Sequence, residues 1–398
     1  MEKVRLAVVG LGLRGTGLVK SVFTENKRCE IVAICDLYRD RIDAIAEVVK
    51  TKINKEVPIR TTDFNELLTK KEQIDAICVS TSWESHIDLA VAAMNAGVPV
   101  AIEVGGAYSV EDCFRLVRTQ VETGTKFMFL ENCCYGRAEL AVLNMVRKGL
   151  FGEITHCEGG YEHDLRNQVL LGEENRHYRL RNYIGRNCDN YPMHAFGPIS
   201  KILNINKGNR MLYLTSMASK SVGLNDYAAL HPELYQSKYV TLRFSQGDVV
   251  RTNIMCADGT TVSLILNTTC PRPYSRNFSV QGTRACYWED GAFFHFDAEH
   301  GRKDMEKPLN YYNNQNEWFE KYDHPIWKKF LNDGVRGGHG GMDWLLFEAF
   351  FDYVTDGGES PIDVYDAAAW MCITPLSAKS IELGSMPVEI PDFTQIKG

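Results

Sequence analysis

The sequence predicts an α/β protein: an N-terminal doubly wound parallel sheet, then an α+β domain with a large, mostly antiparallel open sheet. Three observations carry that reading. Short apolar runs alternate with helical patterns through the first 130 residues. A glycine-rich turn follows the first of those runs. After about residue 150 the texture changes to long stretches in which apolar and polar residues alternate.

The strand-like runs are Val4–Gly10, Ile31–Asp36, Ala76–Ser80, Val98–Glu103 and Lys126–Glu131. Each is rich in Val, Ile, Ala or Phe and bounded by Gly, Pro or polar residues, as strands buried on both faces are. Helical patterns fill the gaps at Arg41–Lys50, Ile87–Ala96 and Val110–Glu122. Ser109 reads as an N-cap, with Asp112 in the first turn. Strands alternating with helices imply a parallel sheet wound on both faces. The alternating stretches of the second half are Met211–Ser219, Tyr239–Ser245, Val249–Cys256, Thr260–Asn267 and Phe278–Gly282. Gln246-Gly247-Asp248 and Asp258-Gly259 read as hairpin junctions between them. Two helical patterns close the chain, Asp343–Thr355 and Val364–Leu383. The domains expected are 1–130 and 131–398, with the terminal helices able to pack back on the first.

Composition narrows the function classes. Lys plus Arg total 44 and Asp plus Glu 51, a formal charge of −7. Nucleic-acid and anionic-membrane partners need a clustered positive field, which this balance opposes. No run approaches the length of a membrane span. The 12 cysteines include no C-x-x-C, and Cys35 and Cys78 lie inside apolar runs. They read as reduced, buried thiols, with no disulfide framework and no metal site. Met1-Glu2-Lys3 leads straight into the run at Val4, which reads as cytoplasmic; a protein trimmed of an export signal would present the same start and be periplasmic.

Gly10-Leu-Gly12-Leu-Arg-Gly15 follows the first strand and opens a helix. Gly10 permits the tight turn, Gly12 lets the backbone approach a pyrophosphate, and Gly15 lets helix and strand pack closely. The pyrophosphate then meets the unsatisfied N–H groups of the helix start. Asp36 ends the second strand 21 residues after Gly15, where a carboxylate hydrogen-bonds ribose hydroxyls and repels a 2′-phosphate. The first domain is therefore a Rossmann domain for NAD rather than NADP, although Arg39 and Arg41 stand close by. The alternative is a Rossmann domain without cofactor.

These residues, together with Thr81-Ser-Trp-Glu-Ser-His86 and Val100-Ala-Ile-Glu103, resemble the Gfo/Idh/MocA oxidoreductase family. That family usually follows the glutamate with Lys-Pro, whereas here the segment is Glu103-Val104-Gly105-Gly106. A cationic amine there helps alcohol oxidation by stabilising the developing alkoxide, so its absence argues against a simple sugar dehydrogenase. Leu130–Gly136, Glu158–Tyr161, Glu173–Arg179 and Asn187–His194 resemble one branch, glycoside hydrolase family 109, which comprises NAD-dependent α-N-acetylgalactosaminidases. The resemblance implies NAD contacts at Leu13, Arg14, Asp36, Trp83, Glu84, Ser85, His86, Glu103, Val104 and Asn132. It implies sugar contacts at Tyr161, Arg179, Tyr191, Pro192, Met193, His194 and Tyr274.

The chemistry so implied is transient oxidation at C3 of the sugar, C2 deprotonation, elimination of the aglycone, water addition and re-reduction, outside the usual two-carboxylate scheme. His194 is the first choice for acid–base work, because an unperturbed imidazole titrates near operating pH. Tyr191 and Tyr274 are its candidate partners, and Arg179 orients hydroxyls or the N-acetyl group. The wider family that the chain resembles often has Asp four residues before this histidine; here that place is Asn190, with Asp189 adjacent. His339-Gly-Gly-Met-Asp343 precedes a helical pattern, where its Gly-rich backbone could reach the site or a subunit contact; a structural turn is the first reading. Aromatics on the second-domain sheet could form a homo-oligomer face. The alternatives are an NAD-dependent sugar or cyclitol dehydrogenase and a noncatalytic NAD-binding protein.

Overall fold

The computed structural model describes residues 3–297 and 312–396. These form two compact units. The first runs through Tyr135 and takes in Gly334–Ala369 and the segment from Phe393; the second comprises Gly136–Asp333 and Trp370–Asp392.

The first unit contains six parallel strands: β1 (Val4–Val9), β2 (Cys29–Cys35), β3 (Ile59–Thr61), β4 (Ala76–Val79), β5 (Val100–Glu103) and β6 (Phe127–Leu130). Their order is β3-β2-β1-β4-β5-β6. Every residue of β4, β5 and β6 is buried, because helices cover both faces, which explains the unbroken apolar runs. The order reverses between β1 and β4, and Val9 pairs with both Cys35 and Val79. Gly10, Asp36 and Ser80 therefore leave the sheet side by side at its carboxyl edge, where open α/β sheets bind their ligands. The short strand β3 carries no run long enough to be seen in the sequence.

Helix Arg39–Ile53 buries Ile42, Ile45, Ala46 and Val49, one stripe at helical spacing. Helix Val110–Thr123 begins where Ser109 Oγ accepts the Asp112 N–H at 3.0 Å and ends at Gly124, φ 62°. Ser109→Ala removes that cap and is expected to cost about 1 kcal/mol. A thermal melt should fall by about 2–4 °C; an unchanged midpoint would mean that the cap contributes nothing.

The second unit carries an eight-stranded sheet: β7 (Ile154–Glu162), β8 (Met211–Ala218), β9 (Val249–Cys256), β10 (Thr261–Asn267), β11 (Ser279–Gly282), β12 (Ala285–Trp288), β13 (Phe293–Phe296) and β14 (Val388–Glu389). The order is β13-β12-β11-β7-β10-β9-β8-β14. Only β7 and β10 pair in parallel; the other neighbours are antiparallel. Along β10, Val262, Leu264 and Leu266 turn into the core while alternate residues do not. Helix Met193–Ile202 lies against β7 at Gly159, where a Cβ would stand 2.9 Å from Ala195 Cβ. That close approach fixes the start of the helix on the sheet.

Three expectations need correction. Tyr239–Ser245 is not a strand: Lys238–Thr241 is a helical turn, and Asn225 Nδ2 satisfies the carbonyls of Tyr239 and Leu242 at 2.8 and 2.9 Å. Gln246-Gly247-Asp248 consequently joins no hairpin; the Asp248 carboxylate instead accepts the N–H groups of Val222 and Gly223. Asp258-Gly259 does close the β9–β10 hairpin, with Gly259 at φ 89°. The final helical pattern is two helices, Val364–Met371 and Ile373–Glu382, broken at Cys372. Pro375 has no N–H to give the Met371 carbonyl, which is where a continuous helix would need one.

All twelve cysteines are free thiols. Burial pushes Cys188 up to about 12, so it is no nucleophile at neutral pH. Among the described residues no helix is long and apolar enough to cross a membrane.

Candidate active site

At the carboxyl edge of the parallel sheet, Gly10 has φ 89°, and a Cβ on it would lie 2.6 Å from backbone atoms of Ser80 and Thr81. A Cβ on Gly15 would lie 1.9 Å from the Gly10 carbonyl. Both glycines are sterically required. Gly12 differs: its Cβ would meet only Arg41, at 3.7 Å, so this side of the loop is open to a ligand. Leu13 stands 70% exposed beside it. Asp36 accepts the N–H of Leu11 on one oxygen, at 2.6 Å, and that of Tyr38 on the other, at 2.9 Å. Each oxygen keeps a further lone pair for a ribose hydroxyl. An open glycine loop beside an anchored carboxylate fits a dinucleotide. Arg41 lies 3.8 Å from Asp36 and over the Tyr38 ring.

The loop after β4 is tied by its own hydrogen bonds. Ser85 Oγ bonds Thr81 Oγ1 at 2.7 Å and the Ser82 carbonyl at 2.9 Å. The Trp83 indole is buried against Gly105, where a Cβ would stand 2.3 Å from the ring. Glu84 is exposed and Val104 buried. His86 is buried with Nε2 3.1 Å from the Thr81 carbonyl. Burial brings it down to about 4, so it stays neutral and shapes the loop.

Arg14 in the first helix and Asn132, just after β6, meet at Asp343, and Arg14 also holds Glu103 at the end of β5. Arg14 Nε donates to Glu103 at 2.7 Å, and its two Nη groups donate to Asp343 at 2.7 and 2.8 Å. Asn132 Nδ2 also donates to Asp343, at 2.8 Å. His339 Nδ1 lies 2.8 Å from the same carboxylate. Burial alone would raise the Asp343 carboxyl, yet the hydrogen bonds and charges of His339 and Arg14 bring it well below the ordinary carboxylate range. The signal in the sequence was the run His339-Gly-Gly-Met-Asp343; its partners lie 211 and 329 positions away.

In the second unit, β7 delivers Tyr161 and the start of helix Met193–Ile202 delivers His194. The Tyr161 ring centroid lies 4.5 Å from that of Tyr191 and 5.8 Å from that of His194. Tyr191 Oη is 3.4 Å from His194 Nε2. Pro192 and Met193 are buried, so any contact from Met193, whose side chain is fully enclosed, would come from its backbone. Arg179, 6% exposed, sets its guanidinium 5.2 Å from the Tyr191 ring centre and 5.8 Å from that of Tyr161, at cation–π distance. Tyr274, 54% exposed, joins through His163, whose ring packs edge-on at 5.3 Å. The loop bearing Tyr274 is pinned by an Arg272–Glu162 ion pair and the bridge between Glu162 and Ser275. His163 was absent from the sequence reading; burial and the Arg179 charge lower its pKa.

Asp189 is buried at 2% exposure. The Thr252 hydroxyl and Tyr191 N–H support its charged form, but burial outweighs them and pushes it up to about 7. Its Oδ2 has no hydrogen-bond partner among the described residues. Asn190 Nδ2 is tied to Gln246 at 3.1 Å.

Comparison with known proteins bears on both units. Residues 4–130 match the oxidoreductase family with NAD-binding Rossmann fold, and residues 135–397 match the C-terminal domain of glycosyl hydrolase 109. A glycosyl hydrolase family 109 protein of Stenotrophomonas maltophilia is 36% identical, over 99% of this chain and 89% of the relative. An alpha-N-acetylgalactosaminidase of Tannerella forsythia is 37% identical, over 98% of this chain and 86% of the relative. Among solved structures, an inositol dehydrogenase homolog of Azotobacter vinelandii, complexed with NADH and myo-inositol, superposes with a TM-score of 0.68 at 16% identity, covering 98% of each chain. That last likeness speaks for the fold.

Proposed function

The chain belongs to glycosyl hydrolase family 109, with an NAD-binding Rossmann domain, and on that premise we propose that it hydrolyses terminal α-linked N-acetylgalactosamine. The observation that carries the proposal is the Tyr191–His194 pair, 3.4 Å apart and packed with Tyr161 and Arg179 in the family's C-terminal domain. The name of the Tannerella relative supplies the sugar.

Bound NAD would supply the hydride acceptor for C3 of the sugar and the hydride for its re-reduction. Gly10, Gly12, Gly15 and Asp36 would hold it, with Arg14 in the first helix, Glu103 at the end of β5 and Asn132 just after β6. His194 is the acid–base group. Where Tyr191 donates its phenolic proton to His194 Nε2, that nitrogen carries the lone pair and the two side chains share one proton. The pair can thereby take a proton from a sugar hydroxyl or carbon and return it. Arg179 cannot serve in this way, since a guanidinium keeps its protons. Held among tyrosine rings, it orients a sugar oxygen or the N-acetyl carbonyl. Tyr161 and Tyr274 give the sugar ring apolar faces and hydroxyl partners. The exposed face of the β7–β14 sheet would be the oligomer surface.

The test is p-nitrophenyl α-N-acetylgalactosaminide, with aglycone release and absorbance at 340 nm followed together. Release without net NADH is the expected result. Net NADH from free sugar would favour a dehydrogenase. Neither release nor exchange of the C2 hydrogen with deuterated solvent, across α- and β-glycosides, would end the glycosidase reading.

A further inference from the structure

On the NAD reading of the first unit, we infer that Arg41 is a specificity-determining residue of the cofactor site. It offsets part of the repulsion that Asp36 exerts on a 2′-phosphate, so that NADP is excluded less strictly than the carboxylate alone would dictate. Asp36, Arg41 and the glycine loop all belong to the first unit.

The placement follows from the helix. Arg41 stands in the first turn of helix Arg39–Ile53, which begins just beyond Asp36. Helical side chains lean toward the N-terminus, and this one is carried back over the loop that bears the carboxylate. Its Nη1 lies 3.8 Å from Asp36 Oδ2, and its guanidinium packs 4.8 Å from the Tyr38 ring centre. The same nitrogen is 3.7 Å from where a Cβ on Gly12 would stand. The guanidinium therefore sits between the ribose carboxylate and the open side of the glycine loop. Arg39 is directed elsewhere: it runs along the helix to Asp43 at 3.2 Å, with its side chain 61% exposed against 20% for Arg41. A first-turn position is the unfavourable end of the helix dipole for a cation. For Arg39 the Asp43 carboxylate answers that cost, and for Arg41 the Asp36 carboxylate does.

Asp36 is fixed by other means. Its oxygens accept the N–H groups of Leu11 and Tyr38 at 2.6 and 2.9 Å. At 3.8 Å the approach of Arg41 is a meeting of charges and no hydrogen bond. The carboxylate thus keeps its place without Arg41, and a second anion can share the guanidinium. A carboxylate at the ribose hydroxyls favours NAD, whereas an arginine close by accommodates the 2′-phosphate of NADP. This site holds both. A guanidinium keeps its charge throughout the working pH range, so the two influences act together and their balance sets the preference. NAD and NADP differ in the 2′-phosphate alone. Contacts to adenine, diphosphate and nicotinamide, and any effect on folding, cancel in the ratio of the two affinities, which therefore reads the charge beside the ribose.

The experiment uses full-length protein freed of nucleotide by dialysis against charcoal, titrated calorimetrically with NAD+ and with NADP+ at pH 8. The quantity read is the NADP+ dissociation constant divided by that for NAD+. Arg41→Met is expected to raise this ratio about tenfold, through weaker NADP+ binding. Arg41→Lys keeps the charge and should stay within about threefold of wild type. Asp36→Asn removes the repelling charge and should lower the ratio. A ratio in Arg41→Met within about twofold of wild type overturns the inference; if both nucleotides then bind more weakly, Arg41 belongs to the diphosphate they share. A shift in Arg41→Lys as large as that in Arg41→Met also overturns it, by assigning the effect to shape, as does an unchanged ratio in Asp36→Asn. If Arg41→Met does not fold, Arg41→Gln takes its place with the same expectation. Wild-type protein that binds NAD+ but shows no binding of millimolar NADP+ overturns the inference and leaves the NAD reading intact. Failure to bind either nucleotide would overturn the NAD reading itself, and this inference with it.

Discussion

His194→Ala is expected to lower aglycone release by about 10²–10⁴-fold, the range for losing a positioned acid–base group, while NAD+ affinity stays within about twofold of wild type. The argument is geometric. His194 sits in the first turn of a helix clamped to β7 at Gly159, and its Nε2 faces the Tyr191 hydroxyl at 3.4 Å. Removing the imidazole takes away the ring nitrogen that the Tyr191 hydroxyl faces. His194→Gln retains a hydrogen-bonding group but cannot titrate, and is expected to fall as far as the alanine variant. Turnover near wild type in either variant would take His194 out of the mechanism.

The second large effect is on stability against pH, and it comes from Asp189. Burial pushes its carboxyl up to about 7 in the folded protein, against about 3.9 in an unfolded chain. A group whose pKa is raised on folding stabilises the native state in its protonated form. That contribution is complete below about pH 4 and is lost as pH rises through about 7. The span amounts to about 4 kcal/mol at most. Asp189→Asn keeps an acceptor for the Tyr191 N–H but carries no titrating proton. The variant should therefore melt several degrees higher than wild type at pH 8, by a smaller margin at pH 5, and close to it at pH 4. Parallel pH profiles for the two proteins would show that Asp189 does not titrate in this window.

The first unit was legible because burial on both faces writes continuous apolar runs, and because a glycine loop followed by Asp36 has few other uses. Strand β3 escaped notice, since three residues at a sheet edge leave no period to read. In the second unit, Tyr239-Val-Thr-Leu-Arg-Phe-Ser245 has strand alternation, but Asn225 takes two of its carbonyls and tertiary context overrides the pattern. Of the candidate site, Tyr161, Arg179, Tyr191 and His194 do come together in one cluster. His163 leaves no mark in the sequence, and the run ending at Asp343 leaves a turn and a reach toward the site undecided, for the same reason. Their significance lies in partners brought close by the fold, Tyr274 for the one and Arg14 and Asn132 for the other, and no local spacing records such meetings.

The contact between Trp83 and Gly105 has a consequence for descent. The wider oxidoreductase family places Lys-Pro where this chain has Val104-Gly105. A proline ring at 105 would need the space that the Trp83 indole fills, since even a Cβ there would stand 2.3 Å from it. The two positions are therefore coupled: any residue larger than glycine at 105 requires the Trp83 indole to move or to be replaced.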